Sequence, residues 1–96
     1  MPKVHIKGFI LQLLQRQSEL WDFDIAKSVV EEYQLADFRY WLGAVRVNLA
    51  ELDAGGLVQQ VGDQIDLATG KLHHRYRLTV FGAQRMRDTG LAVVTQ

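Results

Sequence analysis

Five residues in one short segment, Arg39, Tyr40, Gly43, Arg46 and Val47, carry the clearest chemistry in this 96-residue chain. An arginine fork can donate two hydrogen bonds to O6 and N7 of a guanine in the major groove. A tyrosine hydroxyl can reach a phosphate, and a glycine lets the backbone approach a surface closely. A second basic set, Lys71, Arg75 and Arg77, falls in a segment patterned as a hairpin. From there lysine and arginine can grip phosphate or enter a narrow minor groove. Both sets imply double-stranded DNA as partner. Each also has a plainer reading. The first can be a solvated helix face, and the second can be edge-strand charge that blocks sheet extension.

Other combinations point less far. His73 and His74, with His5 as a third ligand, suggest a metal, but neighbours on a strand face opposite ways and do not chelate easily. Trp21, Trp41, Phe23 and Phe38 could line a pocket for an aromatic or cationic small-molecule effector, or could serve as core or interface. Glu31-Glu32 and Asp22/Asp24 are carboxylate pairs with no nucleophile, phosphate loop or metal-spaced cluster beside them. No enzyme activity, no cofactor and no metal are expected.

The elements that must hold these residues follow from periodicity. A first helix is predicted over about Val4 to Gln17, with Ile6, Phe9, Ile10, Leu13 and Leu14 on one stripe. Ser18 to Trp21 reads as a connection. Asp22 is a plausible N-cap of a second helix whose apolar face is Ile25, Ala26, Val29, Val30 and Tyr33. Gln34-Leu35-Ala36 is a turn, and Asp37 can cap the third helix. In that helix Phe38, Trp41, Leu42, Val45, Leu49 and Leu52 share an arc of about 100°. Arg39, Tyr40, Gly43, Val47 and Ala50 lie opposite, with Arg46 at the margin. Gly55-Gly56 stops the helix. Strands over Leu57–Gln64 and Leu72–Leu78 enclose a tip at Ala68-Thr69-Gly70-Lys71, where Gly70 can take positive φ. Thr79 caps a last helix of about Val80 to Thr89. Leu91-Ala92-Val93-Val94 is a further strand, a dimer contact or a tail.

The formal net charge is zero, so no overall basic field draws in a polyanion. Residues 37–87 hold seven basic against five acidic side chains, a local excess of two. There is no cysteine, hence no disulfide frame and no thiolate metal site. No apolar run approaches the roughly 20 residues that span a bilayer. A cytoplasmic location without membrane contact is expected, and residues 1–96 are expected to form one domain.

Several words of the sequence resemble the PadR-type winged-helix transcriptional regulators, and the likeness covers nearly the whole chain. Lys7-Gly8-Phe9-Ile10-Leu11-Gln12-Leu13-Leu14 is similar to their first helix. Trp21-Asp22-Phe23-Asp24-Ile25-Ala26-Lys27-Ser28 is similar to the start of their second, usually written Gly-Tyr-Glu-Ile. Here the core is Asp-Phe-Asp-Ile, without the glycine. Val47-Asn48-Leu49-Ala50-Glu51-Leu52-Asp53-Ala54-Gly55-Gly56-Leu57-Val58 resembles the passage from helix three into the wing. Arg75-Tyr76-Arg77-Leu78-Thr79-Val80-Phe81-Gly82 resembles a Tyr-x-Leu-Thr-x-x-Gly ending that MarR-like and ArsR-like regulators share. The family's Ser-x-Tyr at the start of helix three appears as Phe38-Arg39-Tyr40. The long C-terminal dimerisation helices of larger members have no counterpart. The resemblance implies an α+β, mostly α, winged helix-turn-helix and a homodimeric DNA-binding repressor. The first and last helices are then expected to make the dimer contact. Charge reversal at Arg39 or Arg46 is expected to abolish DNA binding and leave the melting temperature nearly unchanged. A winged helix used only for protein–protein interaction is the alternative, favoured by the zero net charge and by Glu51 and Asp53.

Overall fold

The computed structural model describes residues 5–91. Within them the order is α1 (Ile6–Arg16), β1 (Glu19–Trp21), α2 (Asp22–Tyr33), α3 (Phe38–Ala54), β2 (Val58–Ile65), β3 (Leu72–Leu78) and α4 (Val80–Asp88). The architecture is α+β and mostly helical. Four helices pack with a three-stranded antiparallel sheet of order β1-β3-β2. No helix among the described residues is long and apolar enough to cross a membrane.

Helix ends follow local chemistry. The Asp37 carboxylate accepts from the Tyr40 backbone N–H at 3.3 Å and caps α3. Asp37 itself sits at φ 62°, a left-handed position that Asp tolerates better than most residues. At the other end Gly56 takes φ 79°, and bonds from Gly56 N–H to Asp53 C=O and from Leu57 N–H to Leu52 C=O close the helix. This Schellman arrangement satisfies carbonyls that the last turn would leave open. The Gln34 turn and Gly90 end α2 and α4 with the same bond pattern.

Glycine is obligatory at Gly82. A Cβ there would collide with the Leu57 carbonyl oxygen, where the first turn of α4 crosses the start of the hairpin. The Thr79 hydroxyl accepts from the Gly82 N–H at 2.8 Å and lies within 3.0 Å of the Leu57 carbonyl. One residue therefore caps α4 and ties it to the end of α3.

The expected stripe of α1 is largely buried, with Ile10, Leu13 and Leu14 in the core beside Leu11, which the stripe did not include. Ile25, Ala26 and Val29 of α2, and Val45, Leu49 and Leu52 of α3, meet them. Val58, Tyr76 and Met86 close the core from the sheet and α4. Leu91 packs on its edge and its carbonyl accepts from the Gln12 side chain at 3.0 Å. Val4 and Ala92-Val93-Val94 lie outside the described residues.

Two expectations are corrected. Ser18 to Trp21 is not merely a connection, since Glu19, Leu20 and Trp21 pair with Arg77, Tyr76 and Arg75 of β3. Three residues are too few to show alternation, and the free edge of β3 is what makes them a strand. Asp22 does not cap α2 from outside. Trp21 occupies that position without a side-chain cap bond, and Asp22 begins the helix with its carboxylate turned to other partners.

Candidate nucleic-acid interface

The outer side of α3 is open over its first three turns. Arg39 and Gly43 are exposed, Tyr40 is 63% exposed and Val47 60%. A Cβ at Gly43 would meet nothing within 4 Å, so the backbone there faces free space. The Tyr40 ring stands edge-on to Trp41 with centroids 5.1 Å apart, which steadies it at the surface. Among the described residues the Arg39 side chain has no hydrogen-bond or ion-pair partner, unlike several other arginines.

Arg46 is different. Its Nε donates to Asp22 Oδ2 at 3.0 Å, and its terminal nitrogen donates to the Leu72 carbonyl at 3.2 Å. Asp22 is fully buried. Its other oxygen, Oδ1, accepts from the Phe23 N–H at 2.7 Å and lies 3.6 Å from His73 Nδ1. A buried carboxylate needs a counter-charge and hydrogen bonds, and Arg46 supplies the charge. Arg46 thus bolts the start of α2, the middle of α3 and the first residue of β3 together. It is partly enclosed and already neutralised, so its reversal is now expected to lower stability rather than leave it unchanged. Asp22 is the first residue of the Asp-Phe-Asp-Ile stretch, the place where the chain departs from the glycine pattern.

The hairpin shows the same split. Lys71 is exposed at the tip, and its side chain has no partner among the described residues. The tip closes through an Asp66 N–H to Lys71 carbonyl bond of 2.8 Å, with Gly70 at φ 70°. Arg77 is exposed and donates only to the neutral Gln59 side chain at 3.1 Å. Arg75 lies across Trp21, 5.4 Å from the ring centroid, with Nε 3.2 Å from a Glu19 carboxylate oxygen. Its guanidinium also rests on Gly62, where a Cβ would stand 3.1 Å from it. Gly62 follows a register shift between Gln60 and Gly62, so the bulge and the glycine make the bed for this side chain. Arg75 belongs to the packing of β1 on β3.

Three of the expected contact residues therefore keep an unneutralised charge: Arg39, Lys71 and Arg77. The acidic residues at the end of α3 are also engaged. Glu51 pairs with Lys7 at 3.2 Å, and Asp53 accepts from the Gln60 N–H at 3.1 Å. No group of three metal-ligating side chains gathers among the described residues, and His74 instead meets the Gln60 side chain at 3.0 Å. Of the four aromatics read as a pocket lining, Trp21 and Phe23 line one cavity together, and Trp41 and Phe38 stand outside it. Reasoning from sequence missed Asp22, Glu19 and Gly62 as partners of these two half-buried arginines. An aspartate on the apolar side of α2 was the only sign of the first.

Comparison with protein-family models, with curated proteins and with solved structures finds no match to this chain.

Proposed function

We propose that this chain is a single winged helix-turn-helix domain that binds double-stranded DNA, with α3 as the recognition helix and the β2–β3 hairpin as the wing. The observation that carries the reading is the unpartnered outer face of α3. Arg39, Tyr40, Gly43 and Val47 are exposed on a helix whose other face is locked into the core. Support comes also from the order helix, helix, hairpin, helix, and from Arg46, which fixes the hairpin beside α3. In this reading Arg39 reads base edges, Tyr40 meets phosphate, and Lys71 and Arg77 touch the flanking backbone. A homodimer would place two such helices on the half-sites of a palindrome and repress by covering a promoter, as the PadR-like resemblance implies. Cytoplasmic residence follows from that role.

The test is binding to random duplex DNA across a salt series. Three unneutralised cations predict a slope of log K on log salt of about −3 for each bound protomer. Absence of duplex binding at low salt overturns the reading. Selection from a random pool then yields a palindrome if the bound form is a dimer. The second reading, a winged helix that binds another protein, is favoured by one specific observation. Asp22 and Glu19 already neutralise two of the eight expected contact residues, Arg46 and Arg75.

A further inference from the structure

An open-sided cavity of about 500 Å³ lies between the start of α2 and the hairpin tip. That size falls within the range of small-molecule sites, roughly 300–1,000 Å³. Trp21 and Phe23 wall one side, and Ile65 and Leu67 the other. Phe23 is 39% exposed, Ile65 56% and Leu67 96%, so the apolar surface here has no cover within the described chain.

Besides the Gln64 amide and the His73 imidazole, the polar side chains at this cavity are acidic. Asp24 and Asp66 contribute carboxylates, and no lysine or arginine lines it. Among the described residues Asp24 has no ion-pair or hydrogen-bond partner for its side chain, unlike Asp22 and Asp66. Asp66 spends one oxygen on the Ala68 N–H at 2.9 Å, and its other lies 3.9 Å from His73 Nε2. His73 stands edge-on to Phe23 with centroids 5.9 Å apart, at the back of the cleft. One face of the Trp21 ring is already covered by the Arg75 guanidinium, 5.4 Å from its centroid, so Phe23 is the exposed aromatic ring of the wall. An exposed aromatic ring, the unpaired Asp24 carboxylate and the partly engaged Asp66 together select a cation with an apolar body. An anion would meet two carboxylates, and a neutral guest would gain nothing from Asp24.

We propose that this cleft binds a small organic cation, of the class of quaternary or aromatic ammonium compounds. The site does not depend on the DNA-binding reading, and it bridges α2 to the tip that reading uses.

The experiment is an NMR titration of the full chain with benzyltrimethylammonium, benzyl alcohol and benzoate, which share an aromatic body and differ in charge. Expected are saturable shifts of the Trp21 indole N–H and of the amides of residues 22–24 and 64–68 with the cation alone in the millimolar range. Benzyl alcohol should bind at least about tenfold more weakly, and benzoate not at all. Asp24→Asn should weaken the cation several-fold. Asp66→Asn, which keeps the oxygen that accepts from Ala68, should do the same without loosening the tip. Equal binding of the cation and the alcohol overturns the proposal. So does an unchanged cation affinity in both variants, or shifts that centre on Trp41.

Discussion

Arg39 and Arg46 are two helical turns apart on α3, within about 20° of one another around the axis. Their surroundings have little else in common. Arg39 looks out from the first turn with no partner among the described residues. Arg46 is held between a fully buried Asp22 carboxylate and the Leu72 carbonyl. The hairpin repeats the contrast, with Lys71 free at the tip and Arg75 laid on Trp21 against Glu19. A basic residue on an outward helix face counts toward binding a polyanion only when no other element brings it a counter-charge. At Arg46 both α2 and β3 do so.

Removal of Asp22 should have the largest effect on this contrast. Asp22→Ala leaves Arg46 and the Phe23 N–H without their shared acceptor, and should cost about 2–4 kcal/mol in urea denaturation. A cost below about 0.5 kcal/mol, the scatter of ordinary surface changes, would make Arg46 as free as Arg39. Reversing the two arginines separates them next. Arg46→Glu sets a second carboxylate against the buried one and should cost about 2–3 kcal/mol. Arg39→Glu should stay within about 0.5 kcal/mol of the parent while weakening duplex binding at least about tenfold. Equal stability losses would erase the distinction.

The junction can also be followed through Tyr76. Burial raises its phenol above the ordinary tyrosine pKa, the Asp53 and Asp22 carboxylates raise it further, and Arg46 opposes them. A raised acid favours folding while protonated. The contribution is complete below the unfolded tyrosine pKa and is lost as pH climbs through the folded one. Stability should therefore fall in alkali above about pH 10, the unfolded tyrosine value. Tyr76→Phe should flatten that fall, and Arg46→Gln should move the phenol titration, read by ultraviolet absorbance, to still higher pH. The smallest effect belongs to Lys71→Ala. It should leave stability unchanged, weaken duplex binding a few-fold at low salt and reduce the salt slope by about one.

Much of the frame was legible because short-range chemistry makes it. The α3 stripe, the Asp37 cap, the Gly55-Gly56 stop, the Gly70 tip and the Thr79 cap each depend on residues within a turn or two of one another. Strand β1 was not legible. Glu19-Leu20-Trp21 is extended only because β3, more than 50 residues later, offers it an edge. The site divides along the same line. The exposure of Arg39, Tyr40, Gly43 and Val47 follows from the period of one helix. The occupation of Arg46 and Arg75 does not, since their counter-charges come from elements remote in sequence.

Sequence alone determined the four helices and the β2–β3 hairpin, where each helix stops and which side of α3 is apolar, since periodicity and capping act over a few residues. Only the tertiary structure decided which of the basic residues remain free. That depends on where Asp22 and Glu19 come to rest, and the burial of a carboxylate is a property of the packed elements around it rather than of its neighbours in the chain.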